Sequence, residues 1–371
     1  MKTYDAAIVG GGIVGAACAA SLSLAGLSVI VIEEVGIASG TTAAGMGHIV
    51  VMDDSEAQFA LTQYSQQLWN ELVPELPKPA EFENCGTIWV AADEEEMAEV
   101  IRKNEFYAQH GISTEFLDEN RLRAAEPNLR EGLAGGLLVK SDSVIYQLFA
   151  TRFLIDKAKR NGATIRVGKR AVEIADNGVK LADGEFIAAG KVINAAGIAA
   201  TDLSPGLKIA KRKGHLVITE RYPNFARHQL VELGYLRSAH GKSMDSVAFN
   251  VQPRSTGQVL LGSSRQFGAE DGEIDHSILR RMTARAFEFM PSLRNLSTLR
   301  IWTGFRPATP DNLPYIGKLS GHDNIYVAAG HEGLGITTSL GTGELIADSI
   351  LGRTSAIPID PYSPTRKFEE H

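Results

Sequence analysis

Four glycine-rich segments of this chain carry the residue types that a long, phosphate-bearing cofactor needs. The first follows the apolar run 6–9 and reads Gly10-Gly11-Gly12-Ile13-Val14-Gly15. Gly10 makes a tight turn, Gly12 lets the backbone approach a pyrophosphate, and Gly15 lets helix and strand pack closely. Free N–H groups where the helix starts, at Ile13 and Val14, then meet the phosphates. The strand that follows, 29–32, ends on Glu33, 18 residues after Gly15, where a carboxylate accepts ribose hydroxyls. The second segment, Ser39-Gly40-Thr41-Thr42-Ala43-Ala44-Gly45-Met46-Gly47-His48, is small and hydroxyl-rich. In the third, strand 191–194 runs into Ala195-Ala196-Gly197, residues small enough for a backbone to reach a ligand. The fourth is a strand, a turn Gly330-His331-Glu332-Gly333-Leu334-Gly335, and a helix to about Leu351.

The elements that must position these segments are legible from apolar periodicity and turn residues. Residues 6–33 read as strand, helix and strand. Helices are predicted over 56–72, 94–110, 148–162 and 278–289, with a strand over 86–91. A strand at 164–167 and a meander over 171–194 turn at Asp176-Asn177-Gly178 and Ala182-Asp183-Gly184. Residues 205–302 are strand-rich, with hairpin signals at 215–220, 246–253 and 258–263. The nucleotide elements are therefore spread over separated stretches. This predicts two interleaved domains, with 1–48, 146–204 and 303–371 forming the cofactor domain and 49–145 and 205–302 the substrate domain. The fold class is α/β, or α+β taken overall. The proline-rich stretch 358–364 is expected to wrap loosely on the surface.

Composition narrows the function classes. The 371 residues are 44% hydrophobic and 22% charged, ordinary for a globular protein. A net charge of −7 argues against nucleic acid. The one basic cluster, Lys208, Lys211, Arg212 and Lys213, is expected to be a solvated strand edge or loop. The acidic run Asp93-Glu94-Glu95-Glu96 suits the positive end of a helix. Two cysteines, Cys18 and Cys85, form no CxxC or Cys/His cluster, so no zinc or iron–sulfur site is expected. The pattern suits a reducing cytoplasm. The uncharged stretch 6–32 is broken by its glycine turn and is expected neither to span a membrane nor to serve as a signal peptide.

A nicotinamide enzyme uses the first strand–helix–strand unit and a second half-unit. Contacts from the additional segments suit a cofactor lying extended across the chain, as FAD does. Together with Trp302-Thr303-Gly304-Phe305-Arg306-Pro307, Pro314-Tyr315-Ile316-Gly317 and Ala328-Ala329-Gly330-His331, the first segment and Thr41-Thr42-Ala43-Ala44-Gly45-Met46 of the second resemble the D-amino-acid oxidase/glycine oxidase family of FAD enzymes. The resemblance covers essentially the whole chain in the family's order. It implies non-covalent FAD in a Rossmann-type domain, a second domain with a large antiparallel sheet, and oxidation of an amine carbon beside a carboxylate. The Cα hydrogen would leave as a hydride to flavin N5. Arg306 would grip the substrate carboxylate through two parallel hydrogen bonds.

The same resemblance implies where the cofactor lies. Glu33, Glu34, Ser39, Thr41 and Thr42 would surround its nucleotide half, with Val172, Ala196 and Gly197. Ala44, Gly45, Met46, Gly304 and the turn Gly330, His331, Gly333, Leu334, Gly335, Ile336 and Thr337 would surround the flavin. N–H groups of that turn would favour negative charge on the pyrimidine ring. His48 would sit near the reactive side, or else serve as a hydrogen-bonded structural histidine.

Departures from the family pattern bear on substrate. Gly333 stands where glycine oxidases carry a second arginine, and Asn250 where they carry a substrate-facing tyrosine. Gly304 matches the position of the flavin-linked cysteine of sarcosine oxidases, so no covalent link is expected. These changes argue for a differently shaped pocket and against free glycine. The strings 43–54 and 330–338 are most similar to FAD subunits of D-hydroxyproline dehydrogenases, opine dehydrogenases and cyanide-forming glycine dehydrogenases. That similarity implies a dehydrogenase acting on a D-configured or secondary amino acid, cis-4-hydroxy-D-proline first among them. It also implies partner subunits carrying iron–sulfur clusters. An oxygen-using oxidase, an opine or glycine/sarcosine-type enzyme, a non-catalytic electron-relay subunit and an NAD-dependent dehydrogenase are the alternatives.

Overall fold

A computed structural model describes residues 3–234 and 245–368. The chain forms two compact units. The first comprises Met1–Ala80, Tyr146–Lys211 and Arg306–His371, and the second comprises Glu81–Ile145 and Arg212–Phe305.

The first unit is organised by a largely parallel sheet. Strand β1 (Tyr4–Val9) lies at its centre, because its last four residues are apolar and buried on both faces. It pairs in parallel with β2 (Val29–Glu33) on one side and with Phe186–Asn194 on the other. Thr164–Val167 extends the sheet beyond β2, and Ile325–Ala329 extends it beyond Phe186–Asn194, both in parallel. Tyr315–Lys318 closes that end antiparallel. Ala171–Ala175 and Gly178–Leu181 form the expected antiparallel meander with Phe186–Asn194.

Helix α1 (Ile13–Leu24) packs against the helices Gly335–Leu351 and Gln147–Arg160. The approach to Gly335–Leu351 is close. A Cβ on Gly343 would lie 2.9 Å from the backbone carbonyl of Ala17. On another side, a Cβ on Gly341 would lie 2.4 Å from Ser65 Oγ, in the helix Glu56–Leu72. Two glycines two residues apart thus let one helix nest against two neighbours.

That helix, Glu56–Leu72, corrects the sequence-based domain boundary. Residues 49–80 read from sequence as part of the second body, but they fold with the first. Trp69, fully buried, donates its indole N–H to the carbonyls of Ile336 (3.2 Å) and Thr337 (3.1 Å). The helix has the predicted ends, and Ser55 caps it by accepting from the Gln58 N–H. The C-terminal stretch also departs from expectation. Tyr362 is 1% exposed and donates to the Ala57 carbonyl at 2.6 Å. Arg366 pairs with Asp311 and donates to the Pro314 carbonyl. The stretch is therefore docked, not loose.

The second unit holds an eight-stranded sheet in the order Thr298–Ala308, Ala210–Thr219, Val259–Phe267, Ser246–Pro253, Gln229–Glu232, Thr87–Ala91, Gly135–Val139, Thr114–Asp118. Its resolved registers are antiparallel except that between Gln229–Glu232 and Thr87–Ala91. The helix His276–Phe289 covers part of one face, where Phe289 stacks on Phe249 at 4.6 Å. The acidic run opens the helix Glu94–Gln109 and caps it. Asp93 accepts from the Glu96 N–H, and the Glu96 carboxylate accepts from the Ala92 N–H. Lys213 corrects the solvated reading of the basic cluster. It is 3% exposed, and its Nζ reaches Asp271 at 3.0 Å.

Trp69→Ala removes a large buried ring and both indole hydrogen bonds. The expected cost is about 3–5 kcal/mol, read as a lower urea midpoint with unchanged slope. A midpoint shift below about 1 kcal/mol-equivalent would mean that residues 49–80 do not belong to the first unit's cooperative core.

Candidate active site

All residues described next as neighbours lie in the first unit. Its glycine turn is built as the spacing predicts. Gly10 adopts φ +112°, and a Cβ there would lie 2.3 Å from the Ala195 carbonyl oxygen. A Cβ on Gly15 would lie 2.1 Å from the Gly10 carbonyl oxygen. Any side chain at either position would force strand and helix apart. Gly12 differs, since a Cβ there meets only Thr42 Oγ1, at 3.2 Å. That leaves the side of the turn beside the helix start accessible to a phosphate. The Thr42 hydroxyl also accepts from the Ile13 N–H at 3.1 Å, so it joins the second glycine segment to the first.

Glu33 has a structural duty beyond the one predicted. Its carboxylate accepts from the N–H groups of Gly11 (2.6 Å), Val35 (2.8 Å) and Gly36 (3.2 Å). It thereby clasps the first turn to the loop after β2. Each carboxylate oxygen accepts more than one bond, so a ribose hydroxyl remains compatible. Around it, Glu34 and Ser39 are exposed, with Glu34 3.9 Å from the Arg170 Nε, and Val172 is also exposed. Thr41 and Ala44 belong to the short helix Thr41–Ala44. Ala196 follows Asn194, whose side chain accepts from the Ala196 N–H and donates to Ala200 and Ser204. Gly197 then turns with φ +60°.

A second cluster forms where the fourth segment meets the second. Gly45 abuts Ile336, because a Cβ on it would lie 2.9 Å from Ile336 Cδ1. The Gly45 carbonyl accepts from the Gln147 side chain at 2.7 Å. Met46 is buried. The His48 carbonyl accepts from Thr337 Oγ1 at 3.0 Å, which commits that predicted cofactor hydroxyl to the chain itself. Gly330, at φ +83°, leads into Glu332, which adopts φ +49°. The Glu332 N–H donates to the Pro307 carbonyl at 3.0 Å, beside Arg306. A Cβ on Gly333 would sit 3.6 Å from Arg306 Nε, ordinary contact. Leu334 precedes the helix Gly335–Leu351, and no side chain caps that helix start.

The two histidines of this region behave differently. His331 is buried, and its Nε2 lies 3.0 Å from Thr342 Oγ1. The Thr342 hydroxyl donates to the Thr338 carbonyl, so it accepts from His331. The His331 ring therefore ties the turn to its helix, and burial alone pushes its pKa down to about 3. His48 is partly buried, but its Nδ1 is buried with no hydrogen-bond partner in the protein. Burial pushes its pKa down to about 4; the Gly333 backbone hydrogen bond opposes this, the Arg306 charge adds to it, and Glu332 opposes it.

The remaining predicted residues lie in the second unit. Asn250 is in the strand Ser246–Pro253, paired with Val231 and Gly262, and its Oδ1 is buried without a partner. Gly304 lies in the strand Thr298–Ala308, two residues before the first unit resumes at Arg306. Sequence reading passed over Gln147 and Glu332. Glu332 carried one signal, a bulky residue inside a glycine-rich turn; Gln147 carried none, because its contact spans 102 residues.

A parallel sheet whose first strand feeds a side-chain-free turn and a helix start defines a dinucleotide-binding protein. Open approach at Gly12 and a buried, unpartnered nitrogen at His48 fit a long cofactor with a reactive far end. The chain belongs to the family of FAD-dependent oxidoreductases: the family described as "FAD dependent oxidoreductase" matches residues 5–349. FAD is its cofactor. It is 27% identical to hydrogen cyanide synthase subunit HcnC of Pseudomonas protegens, over 97% of this chain and 95% of that one. It is 27% identical to glycine oxidase of Geobacillus kaustophilus, over 98% and 97%. The solved structure of that species' glycine oxidase superposes with a TM-score of 0.90 at 26% identity, covering 99% and 100%. L-proline dehydrogenase from P. horikoshii superposes at 0.87 with 25% identity, covering 98% and 97%. Among the described residues, no helix is long and apolar enough to cross a membrane.

His331 makes the first unit acid-sensitive. Its folded pKa of about 3 lies below the ordinary 6.5, so between these values the unfolded chain binds the extra proton. Stability from this group is complete above pH 6.5 and is lost as pH falls. Going from pH 7.5 to 5.5 should cost about 1.4 kcal/mol through this group, measured by urea unfolding. His331→Asn should flatten that slope; an unchanged slope would mean the ring is not buried neutral.

Proposed function

We propose that the protein is a dehydrogenase that oxidises the C–N bond of a D-configured or secondary amino acid. The favoured substrate is cis-4-hydroxy-D-proline, which would give the corresponding pyrroline carboxylate. FAD, when bound, supplies the hydride acceptor for the amine carbon. The protein's own contribution is to bind and orient. One observation carries the reading: Arg306, near the end of the strand Thr298–Ala308, lies beside the side-chain-free Gly333, next to a histidine that burial holds neutral.

A guanidinium there suits a carboxylate, which it can grip through two parallel bonds that fix Cα as well as hold it. Gly333 leaves room beside that grip for a ring or an N-substituent. Met46 and the start of the Gly335–Leu351 helix are proposed to line the flavin end. Gly10, Gly12 and Gly15 are proposed to take the pyrophosphate, with Glu33 on the ribose and Val172 near the adenine. L-proline dehydrogenase supports a cyclic secondary amino acid. HcnC, named as a subunit, supports work alongside partner chains, and we propose that these carry iron–sulfur clusters. Two cysteines are too few for a cluster in this chain. We place the protein in the cytoplasm and its FAD in a non-covalent site.

The glycine oxidases among its relatives favour a second reading, oxidation of glycine or sarcosine with oxygen as acceptor. Anaerobic bleaching of the bound flavin by D- and L-amino acids, prolines, sarcosine, glycine and opines decides the substrate. Hydroxyproline should bleach it fastest, and reoxidation in air should be slow. Fast reoxidation with stoichiometric peroxide would make the enzyme an oxidase. Arg306→Ala should lower kcat/KM at least about 100-fold. Unaltered reduction by every amino acid in that variant would instead favour a relay subunit.

A further inference from the structure

We propose that His48 Nδ1 accepts a hydrogen bond from the amine N–H of the bound amino acid, so that His48 reads the amine while Arg306 reads the carboxylate. The inference rests on the amino-acid reading above and assigns its amine contact. Nδ1 is buried and has no hydrogen-bond partner in the protein. Leaving such a group unsatisfied costs about 1–3 kcal/mol, and persistent exceptions mark functional positions.

The ring's state makes Nδ1 an acceptor. The Gly333 backbone hydrogen-bonds the imidazole and favours its charged form, which identifies a carbonyl receiving a ring N–H. Because Nδ1 has no partner, we place that N–H on Nε2. In a neutral imidazole the other nitrogen, Nδ1, then carries the lone pair. The charged groups facing the ring are Arg306 and Glu332, and they oppose one another. An aliphatic amine is a far stronger base than this histidine, so net proton transfer to Nδ1 is uphill. The role is to hold the N–H, not to remove it.

The ring is fixed for this task from two sides. The His48 carbonyl is held by Thr337 Oγ1, and Thr337 is fully buried at the helix start. Gly333 contacts the ring through its backbone and the Arg306 stem through ordinary packing distance. One residue without a side chain thus adjoins both recognition groups.

The test uses FAD-loaded enzyme and two planar probes, pyrrole-2-carboxylate and furan-2-carboxylate. They differ only in an N–H against an oxygen beside the carboxylate-bearing carbon. Their dissociation constants are read from perturbation of the flavin absorbance at pH 7.5. The wild type should bind the pyrrole about tenfold more tightly. His48→Leu should erase that preference by weakening the pyrrole alone. His48→Asn, which places an acceptor oxygen near the Nδ1 position, should keep most of it. Arg306→Ala should weaken both probes alike.

A preference that survives His48→Leu overturns the inference. So does a His48→Leu variant that weakens both probes equally, because His48 would then be serving the cofactor or the packing. If His48→Leu holds no flavin, His48→Asn decides, and loss of the preference there overturns it. If Arg306→Ala leaves both affinities unchanged, the carboxylate clamp fails while the His48 assignment stands on its own preference. Failure of the pyrrole to bind the wild type overturns the inference.

Discussion

The close nesting of the helix Gly335–Leu351 is the constraint on which the site depends. Gly343 lets it approach the Ala17 carbonyl of α1, and Gly341 lets it approach Ser65. An alanine at Gly343 would force the two helices apart by a good fraction of an ångström. The helix start would then leave Gly45 and His48, which it meets through Ile336 and Thr337. Trp69 secures the same turn by sharing its N–H between two carbonyls there. Dispersion at close packing is weak per atom and large in sum, which is why three elements from distant sequence can hold one helix end in place.

That placement has an electrostatic consequence. A positive helix end and Arg306 both favour an anion, whereas the ring of His48 gains nothing from them. Burial and the Arg306 charge therefore keep His48 neutral, although Glu332 and the Gly333 backbone oppose this. Glu332 is held in a left-handed conformation at φ +49°, uncommon outside glycine. Its N–H joins the Pro307 carbonyl, so the turn and the strand bearing Arg306 are fixed to each other. The cost of that conformation, about 1 kcal/mol or more, accompanies the bond that ties the turn to the strand bearing Arg306.

Much of this was legible in sequence because it depends on local rules. Gly10 and Gly15 announce a turn that tolerates no side chain at either position, and apolar periodicity announces the helix over 56–72. Four strands of the eight-stranded sheet were visible as alternation and turn residues, at 86–91, 215–220, 246–253 and 258–263. What escaped depends on contacts between distant residues. Nothing local in residues 49–80 says which sheet they join, since Trp69 finds its partners more than 260 positions away. The stretch around Tyr362 looks like a loose tail until Ala57 accepts its hydroxyl. Lys213 reads as solvated until Asp271 reaches it. His331 and His48 look alike in sequence, and only the partner of each ring nitrogen separates the structural histidine from the open one.

The contrast between those histidines also bears on what the site can recognise. His331 spends its N–H on Thr342, whose own proton is committed to Thr338, so the chain satisfies that edge of the ring completely. His48 spends one nitrogen on Gly333 and keeps the other for a donor that the chain does not supply. An anion alone would be served by Arg306 and would leave that acceptor unmatched. A ligand with both a carboxylate and an adjacent N–H satisfies both groups at once. Discrimination built on a buried polar group is strong, because a ligand lacking the complementary atom leaves it unpaired. On the proposed assignment, a preference for amino acids over hydroxy acids or simple carboxylates would follow from one unpaired nitrogen as much as from the arginine.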